Sequence, residues 1–193
     1  MIVRVENATV VAQPHGSMIA HGVRRRPIAH DGNTLMLDMG SGTFGWFVSR
    51  GISPNYQRCG AVSIGALACA SAVCRSIRDG LQEDPEILNR VDKALREKAA
   101  SVRIAGRDHE MAPHWPSVEA ILPDAIEQML QSVGSLDNME TILLTGGGAT
   151  LLDRVVRTML RDYEHMIQLD ADPVSSNVRG FHTIAEFQNG NRS

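Results

Sequence analysis

The sequence predicts an α/β domain in which helices pack against a mixed sheet, and three observations carry that prediction. Two short apolar strands, residues 35–37 and 44–48, flank a glycine turn. Long amphipathic helical stripes follow. A further apolar strand at 141–144 then runs into Gly146, Gly147 and Gly148 and a second helical region. Strands that come first and then alternate with helices fit helices layered on a mixed sheet better than a sandwich or a bundle. With 193 residues the chain can bury a real core as one domain or two closely packed lobes.

Taken in order, residues 8–13 read as a strand that Pro14, His15 and Gly16 break, after which Ser17 caps a short helix. Residues 23–31 are basic and polar, and Asp31-Gly32-Asn33 is a turn signal. Residues 35–37 and 44–48 pair as an antiparallel hairpin around Gly40 and Gly42. Residues 51–60 are irregular and 61–81 form a buried helix rich in Ala, Ser and Gly. Pro85 falls in the first turn of the next helix, where its missing N–H costs little, and Ile87, Leu88, Val91, Ala94 and Leu95 mark its apolar face. Residues 101–105 are a strand turning at Gly106.

The stripe from Val118 to Val133 is interrupted by Pro123, which predicts a kink or a helix starting near Leu122. After the strand at 141–144, residues 149–160 are helical, 165–169 are a strand stopped by Asp172-Pro173, and 174–188 are a last helix. Residues 189–193 are expected to fray. Neither an internal repeat nor a low-complexity segment is present.

Composition excludes several function classes. Apolar content of 43% and charged content of 21% are those of an ordinary globular protein. A formal charge of −3 argues against a surface that coats nucleic acid. The only lysines, Lys93 and Lys98, lie in a charged helical stretch, so a Gly-x-x-x-x-Gly-Lys phosphate loop is absent. Cys59, Cys69 and Cys74 form no Cys-x-x-Cys pair and read as reduced thiols of a cytoplasmic protein. The apolar run at 61–73 is too short to span a bilayer, so no membrane association is expected. Arg24-Arg25-Arg26 precedes Pro27 rather than an apolar export segment. The seven histidines show no metal-ligand spacing, Trp46 and Trp115 read as core residues, and no serine sits in a nucleophile elbow.

The chemistry is concentrated in two glycine turns. Gly40-Ser41-Gly42-Thr43-Phe44-Gly45 spells Gly-x-Gly-x-x-Gly after a strand, yet the β-branched and aromatic residues beyond it form a strand, not the helix a dinucleotide fold needs. As a hairpin, the same turn offers backbone amides to phosphate oxygens. Asp38 at its mouth then implies a cation such as Mg²⁺ between carboxylate and phosphate, or an attacking water. The plain alternative is a structural hairpin. Gly146, Gly147 and Gly148 permit close backbone approach by a ligand, and the helix starting near Ala149 adds partial positive charge. There the plain alternative is helix–strand packing. Two such strand-to-glycine junctions suggest a nucleotide held between them.

The ordered set Asp38 to Trp46, Thr145 to Ala149 and Asn177 to Phe181 resembles the actin-like ATPases of the ParM/StbA plasmid-segregation family, and within it the protein D branch of the PRTRC system. The likeness runs through essentially the whole chain. It implies an actin-like, ribonuclease H-like lobe in which residues 60–135 form a helical insertion subdomain. It further implies that Gly40, Ser41, Gly42 and Thr43 hold the β- and γ-phosphates of ATP, that Asp38 is the catalytic group positioning Mg²⁺ through water, and that Gly146, Gly147, Gly148 and Ala149 line the adenosine. The family polymerises with ATP into filaments that move plasmids, bound to plasmid DNA through an adaptor.

Two departures temper that expectation. Nothing here corresponds to the family's N-terminal lobe with its first Asp-x-Gly hairpin and lysine, so the chain reads as the C-terminal half. Gly45 stands where related sequences often carry an aspartate. A nucleotide gripped from one side stays open to water, so hydrolysis is expected to be very slow unless a separate N-terminal lobe or a second copy completes the site. A non-catalytic interaction module and a sugar kinase-type phosphotransferase share the superfold and remain alternatives.

Overall fold

The computed structural model describes residue 8, residues 10–24 and residues 32–190. The basic residues at 25–31, with part of the turn expected at 31–33, and residues 191–193 lie outside the described residues. In chain order the elements are α1 (Gln13–Arg24), β1 (Asn33–Met39), β2 (Phe44–Arg50), β3 (Ser53–Pro54), β4 (Gly60–Val62), α2 (Ala66–Ile77) and α3 (Pro85–Arg96). They continue with β5 (Ser101–Ile104), β6 (Arg107–Glu110), α4 (Trp115–Glu119), α5 (Leu122–Val133), β7 (Thr141–Thr145), α6 (Ala149–Met159), β8 (Ile167–Leu169) and α7 (Ser176–Gly190).

The main sheet runs β3-β2-β1-β7-β8, with β4 also paired to β2. Strand β1 is antiparallel to β2 and parallel to β7, and β8 is parallel to β7, so the sheet is mixed as expected. The register sets Asp38 beside Thr145 and Met39 opposite Phe44. Both glycine turns therefore leave the sheet at the same end.

The period of two along a strand divides the chemistry between the faces. Leu35, Leu37, Met39, Phe44, Trp46, Val48, Ile142 and Leu144 join the core formed with α2, α3, α5 and α6. Met36, Phe47 and Leu143 face the other way and pack under Met18 of α1. Each fully buried leucine contributes roughly 2 kcal/mol of transfer free energy, so this double-sided burial fixes the register of β1. Asp38 falls on the Met36 face, toward α1 and α7.

Several boundaries differ from the sequence reading for physical reasons. Among the described residues of 8–13 there is no strand, and Gln13, Pro14, His15 and Gly16 are the first residues of α1, with Ser17 inside it. Proline is tolerated in a first helical turn. Gly16 is a close-approach residue rather than a breaker, because a Cβ there would lie 2.5 Å from the Asn177 carbonyl oxygen. Gly180 is tighter still: its Cβ would lie 1.7 Å from the Gly16 oxygen, so α1 and α7 cross backbone against backbone.

The helix expected at 61–81 starts only at Ala66, because Ala61 and Val62 pair with β2 and Gly65 caps it. Residues 51–60, expected to be irregular, contribute β3 and the start of β4 to the same strand β2. The expected strand at 165–169 shortens to β8, since a 3-10 turn occupies residues 161–166. The last helix begins at Ser176 rather than near 174.

Pro85 stands in the first turn of α3 as expected, and Asp84, not singled out from the sequence, caps that helix by accepting from the amides of Glu86 and Ile87 at 2.9 and 3.2 Å. The interruption at Pro123 separates α4 from α5. Cys69 and Cys74 are buried free thiols, and burial pushes the Cys69 thiol up to about 12. Trp46 is buried and donates from Nε1 to Ser132 Oγ at 3.0 Å, whereas Trp115 is only half-buried. Among the described residues no helix is long and apolar enough to cross a membrane.

Candidate functional site

The ends of β1 and β7 carry both sequence-predicted turns, and they lie side by side rather than across a cleft. Gly146 adopts φ +86°, a left-handed conformation that favours glycine, and a Cβ there would lie 2.3 Å from Asp38 Oδ1. The Gly148 amide donates to the Met39 carbonyl at 2.8 Å, and a Cβ on Gly148 would meet the Met39 side chain. Two of the three glycines are thus needed for close packing against β1. Gly147 is different: among the described residues nothing lies within 4 Å of where its Cβ would be. Ala149, buried, opens α6, whose N-terminus points partial positive charge toward this loop.

Residues Ser41, Gly42 and Thr43 are exposed at the tip of the β1–β2 turn. The Gly40 amide donates to the Thr43 carbonyl at 2.9 Å, so that amide closes the turn and is not offered to a ligand. The carbonyls of Gly40 and Ser41 accept from Ala66 and Leu67 at 3.0 and 2.9 Å. Those bonds consume two of the orphan amides at the start of α2 and anchor the turn to it. Among the described residues none accepts from the amides of Ser41, Gly42 or Thr43. Gly65 makes this docking possible, since a Cβ there would lie 2.4 Å from the Ser41 oxygen and 2.6 Å from the Thr43 nitrogen. Its role was invisible in the sequence because it depends on a turn more than twenty residues earlier by the numbering.

Asp38 is 7% exposed. Its Oδ2 accepts from Asn177 Nδ2 at 3.0 Å. Burial raises its pKa from the ordinary carboxylate value, and the Asn177 hydrogen bond opposes that rise. Asn177 in turn accepts through Oδ1 from the Ser17 hydroxyl at 2.7 Å and the Ser17 amide at 3.1 Å. Ser17 Oγ lies 3.2 Å from Thr145 Oγ1, which donates to Asp170 Oδ2 at 3.3 Å. A buried polar network therefore joins α1, α7, β1 and β7. Sequence reasoning found Asp38 but not the roles of Asn177, its partner 139 positions away, or of Ser17, which bonds Asn177 from 160 positions away.

Beside this network lies a hollow of about 260 Å³ lined by Asp38, Gly40, Thr43, Gly45, Gln13 and Tyr56, among others. Gln13, exposed at the start of α1, was not singled out from the sequence because residues 8–13 read as a strand. A larger hollow of about 850 Å³ lies between α3, α4 and α6 and contains neither Asp38 nor the glycine turns. Volume alone does not locate the chemistry here; the convergent turns and the buried carboxylate do.

Mg²⁺ suits the residues at the smaller hollow only in a particular way. Among the described residues there is no group of three or more His, Cys, Asp or Glu side chains able to hold a metal. A single carboxylate facing a turn with open amides matches an ion that keeps most of its waters and takes phosphate oxygens from a ligand.

Residues 36–158 match the family described as archaeal actin homologue MreB-like, C-terminal. The chain belongs to that family. This MreB-like lobe also shares its fold with solved actin-like proteins. Apo psk41 ParM protein superposes with a TM-score of 0.67 at 17% identity, over 93% of this chain and 50% of that one. Ta0583, an archaeal actin homolog solved in complex with ADP, gives a TM-score of 0.74 at 19% identity, over 89% and 55%. The Alp12 filament structure gives 0.65 at 16%, over 92% and 53%. The MreB-like chain spans about half the length of these structures. No curated protein sequence matches it. The actin-like class expected from the sequence, a mixed sheet flanked by helices, is the class observed.

Proposed function

We propose that this MreB-like lobe binds a magnesium-bound adenine nucleotide at the shared end of β1 and β7, as part of a filament-forming actin-like ATPase. The observation that carries this reading is the contact of Gly146 with Asp38, beside the open amides of residues 41–43. Ser41, Gly42 and Thr43 would take β- and γ-phosphate oxygens, with Gly40 shaping the turn. Gly147 would face the α-phosphate and sugar across its open space, with Gly146, Gly148 and Ala149 building that wall. The ADP-bound archaeal actin homolog supports nucleotide as the ligand class.

Bound Mg²⁺ would supply charge neutralisation between the β- and γ-phosphates, and Asp38 would hold its water shell. Gln13, on the same hollow as Asp38, would orient a water toward the terminal phosphate by accepting and donating through its amide. Among the described residues Asp38 is the one acidic side chain lining that hollow, with Gly45 contributing none. Turnover by this lobe alone is therefore slow, and a second copy or a separate N-terminal lobe would be needed to exclude water.

Filament structures of Alp12 and of ParM from Clostridium botulinum support self-association as the mode of assembly. Plasmid segregation through a DNA-bound adaptor, a place in the PRTRC branch, and a distinct insertion subdomain at 60–135 belong to the same proposal. Thermal denaturation tests the ligand. Mg-ADP is expected to raise the Tm of the wild type and to leave that of Asp38→Ala nearly unmoved. Equal shifts in both proteins would remove Asp38 from the site.

A further inference from the structure

We infer that Asn177 is a positioning residue for the Asp38 carboxylate, tying its orientation to the crossing of α1 and α7; the inference rests on the nucleotide reading given above. The side chain is used at both ends. Nδ2 donates to Asp38 Oδ2 at 3.0 Å, while Oδ1 accepts two hydrogen bonds from Ser17, 2.7 Å to the hydroxyl and 3.1 Å to the amide. These bonds assign the Asn177 amide one orientation, because a flipped amide would set its NH₂ against the Ser17 amide donor and its oxygen against the carboxylate.

The carboxylate is held on its other side as well. Asp38 Oδ1 lies against Gly146, where a Cβ would come within 2.3 Å of it. Rotation of the carboxylate would break the Asn177 bond and press an oxygen into the Gly146 backbone. Only its remaining edge is then presented to the hollow shared with Gly40, Thr43 and Gln13. For a hydrated cation held by one carboxylate, that fixed edge decides where the ordered waters stand.

Ser17 carries the constraint into the helix pair. It lies on the turn of α1 next to Gly16, and Asn177 lies one turn before Gly180 on α7, so the bonds straddle the tightest backbone crossing in the described residues. A rigid shift of α1 along α7 moves Ser17 relative to Asn177 and loosens the carboxylate, while the Gly16–Gly180 contact resists such a shift. The geometry makes Asn177 the link by which the helix crossing sets cation coordination. Groups that orient a metal's carboxylate ligand affect metal affinity roughly 10–100-fold when removed.

The test measures ADP binding by calorimetry for wild type, Asp38→Asn, Ser17→Ala and Asn177→Ala, each in Mg²⁺ and in EDTA. Asn177→Ala removes the donor facing Asp38 without adding charge. The expected result is that Mg²⁺ tightens ADP binding to the wild type, while Asn177→Ala loses about 10-fold or more of that tightening. Its EDTA affinity should stay at the wild-type value, which general damage to the fold would not preserve. Ser17→Ala should lose a smaller part of the Mg²⁺ increment. Should Asn177→Ala fail to fold, Asn177→Leu removes the same donor at nearly the same volume and carries the same expectation. Full Mg²⁺ tightening in the folded Asn177 variant would overturn the inference and leave the nucleotide reading standing. Absence of ADP binding by the wild type in both buffers would overturn both.

Discussion

Gly146 and Asp38 touch so closely that no side chain could stand at 146: a Cβ there would sit 2.3 Å from the Asp38 carboxylate and 2.5 Å from the Met39 carbonyl. The parallel pairing of β1 with β7 imposes this contact, because Asp38 and Thr145 are register partners and the next residue must turn away at positive φ. Gly146→Ala is therefore expected to destabilise the fold by about 1–3 kcal/mol, the cost of a non-glycine residue held in that conformation, plus the displacement of Asp38. Urea denaturation measures it, and an unchanged midpoint would contradict the described turn.

The neighbouring glycine separates stability from binding. Among the described residues nothing lies near the Cβ position of Gly147, so Gly147→Val should leave the urea midpoint close to that of the wild type. It should also abolish the Mg-ADP effect on Tm by filling the space proposed for the ligand. A variant that still responded fully to Mg-ADP would release Gly147 from the proposed site.

Gly180 tests the helix crossing. Alanine there would place its Cβ 1.7 Å from the Gly16 oxygen, and backbone cannot yield as a flexible side chain can. The expected outcome is separation of α1 from α7, seen as faster amide hydrogen exchange in both helices while β1 and β7 stay protected. Exchange rates unchanged in α1 would argue against the described packing.

Asp38 gives the stability curve a definite sign. Burial raises its folded pKa above the ordinary value of 3.8, so the folded state holds that proton more tightly than the unfolded chain. Its contribution is fully present below the unfolded pKa and is lost as pH rises through the folded pKa. Asp38→Asn, whose amide oxygen can still accept from Asn177, should thus be more stable than the wild type at neutral pH. The difference should shrink as pH falls toward 3.8. Stability curves for the two proteins across that range check it, and a wild type that is the more stable at pH 7 would refute it.

What could be read from the chain follows from how local the causes are. Strands β1, β2 and β7 announce themselves through apolar runs ending in glycine, and Pro85 announces the start of α3 through its fixed φ. The same local rules misread α1. Pro14 and Gly16 look like breakers until α7 arrives, from the far end of the sequence, to require a glycine at the crossing. Ala61 and Val62 look helical by composition, and only the unpaired edge of β2 turns them into strand. In the candidate site, Asp38 and the glycines were legible because phosphate-type turns have a local spelling. Asn177, Ser17, Gln13 and Gly65 were not, since each acts through a contact that forms only after the sheet has assembled.

Amide chemical-shift mapping with Mg-ADP addresses the central claim most directly, because it reports the ligand's position without assuming it. The account predicts perturbations concentrated at residues 41–43, at Gly147 and at the start of α6, with Asn177 side-chain signals moving as well. Perturbations confined to the larger hollow around Trp115 and Arg154, or none at saturating ligand, would contradict it.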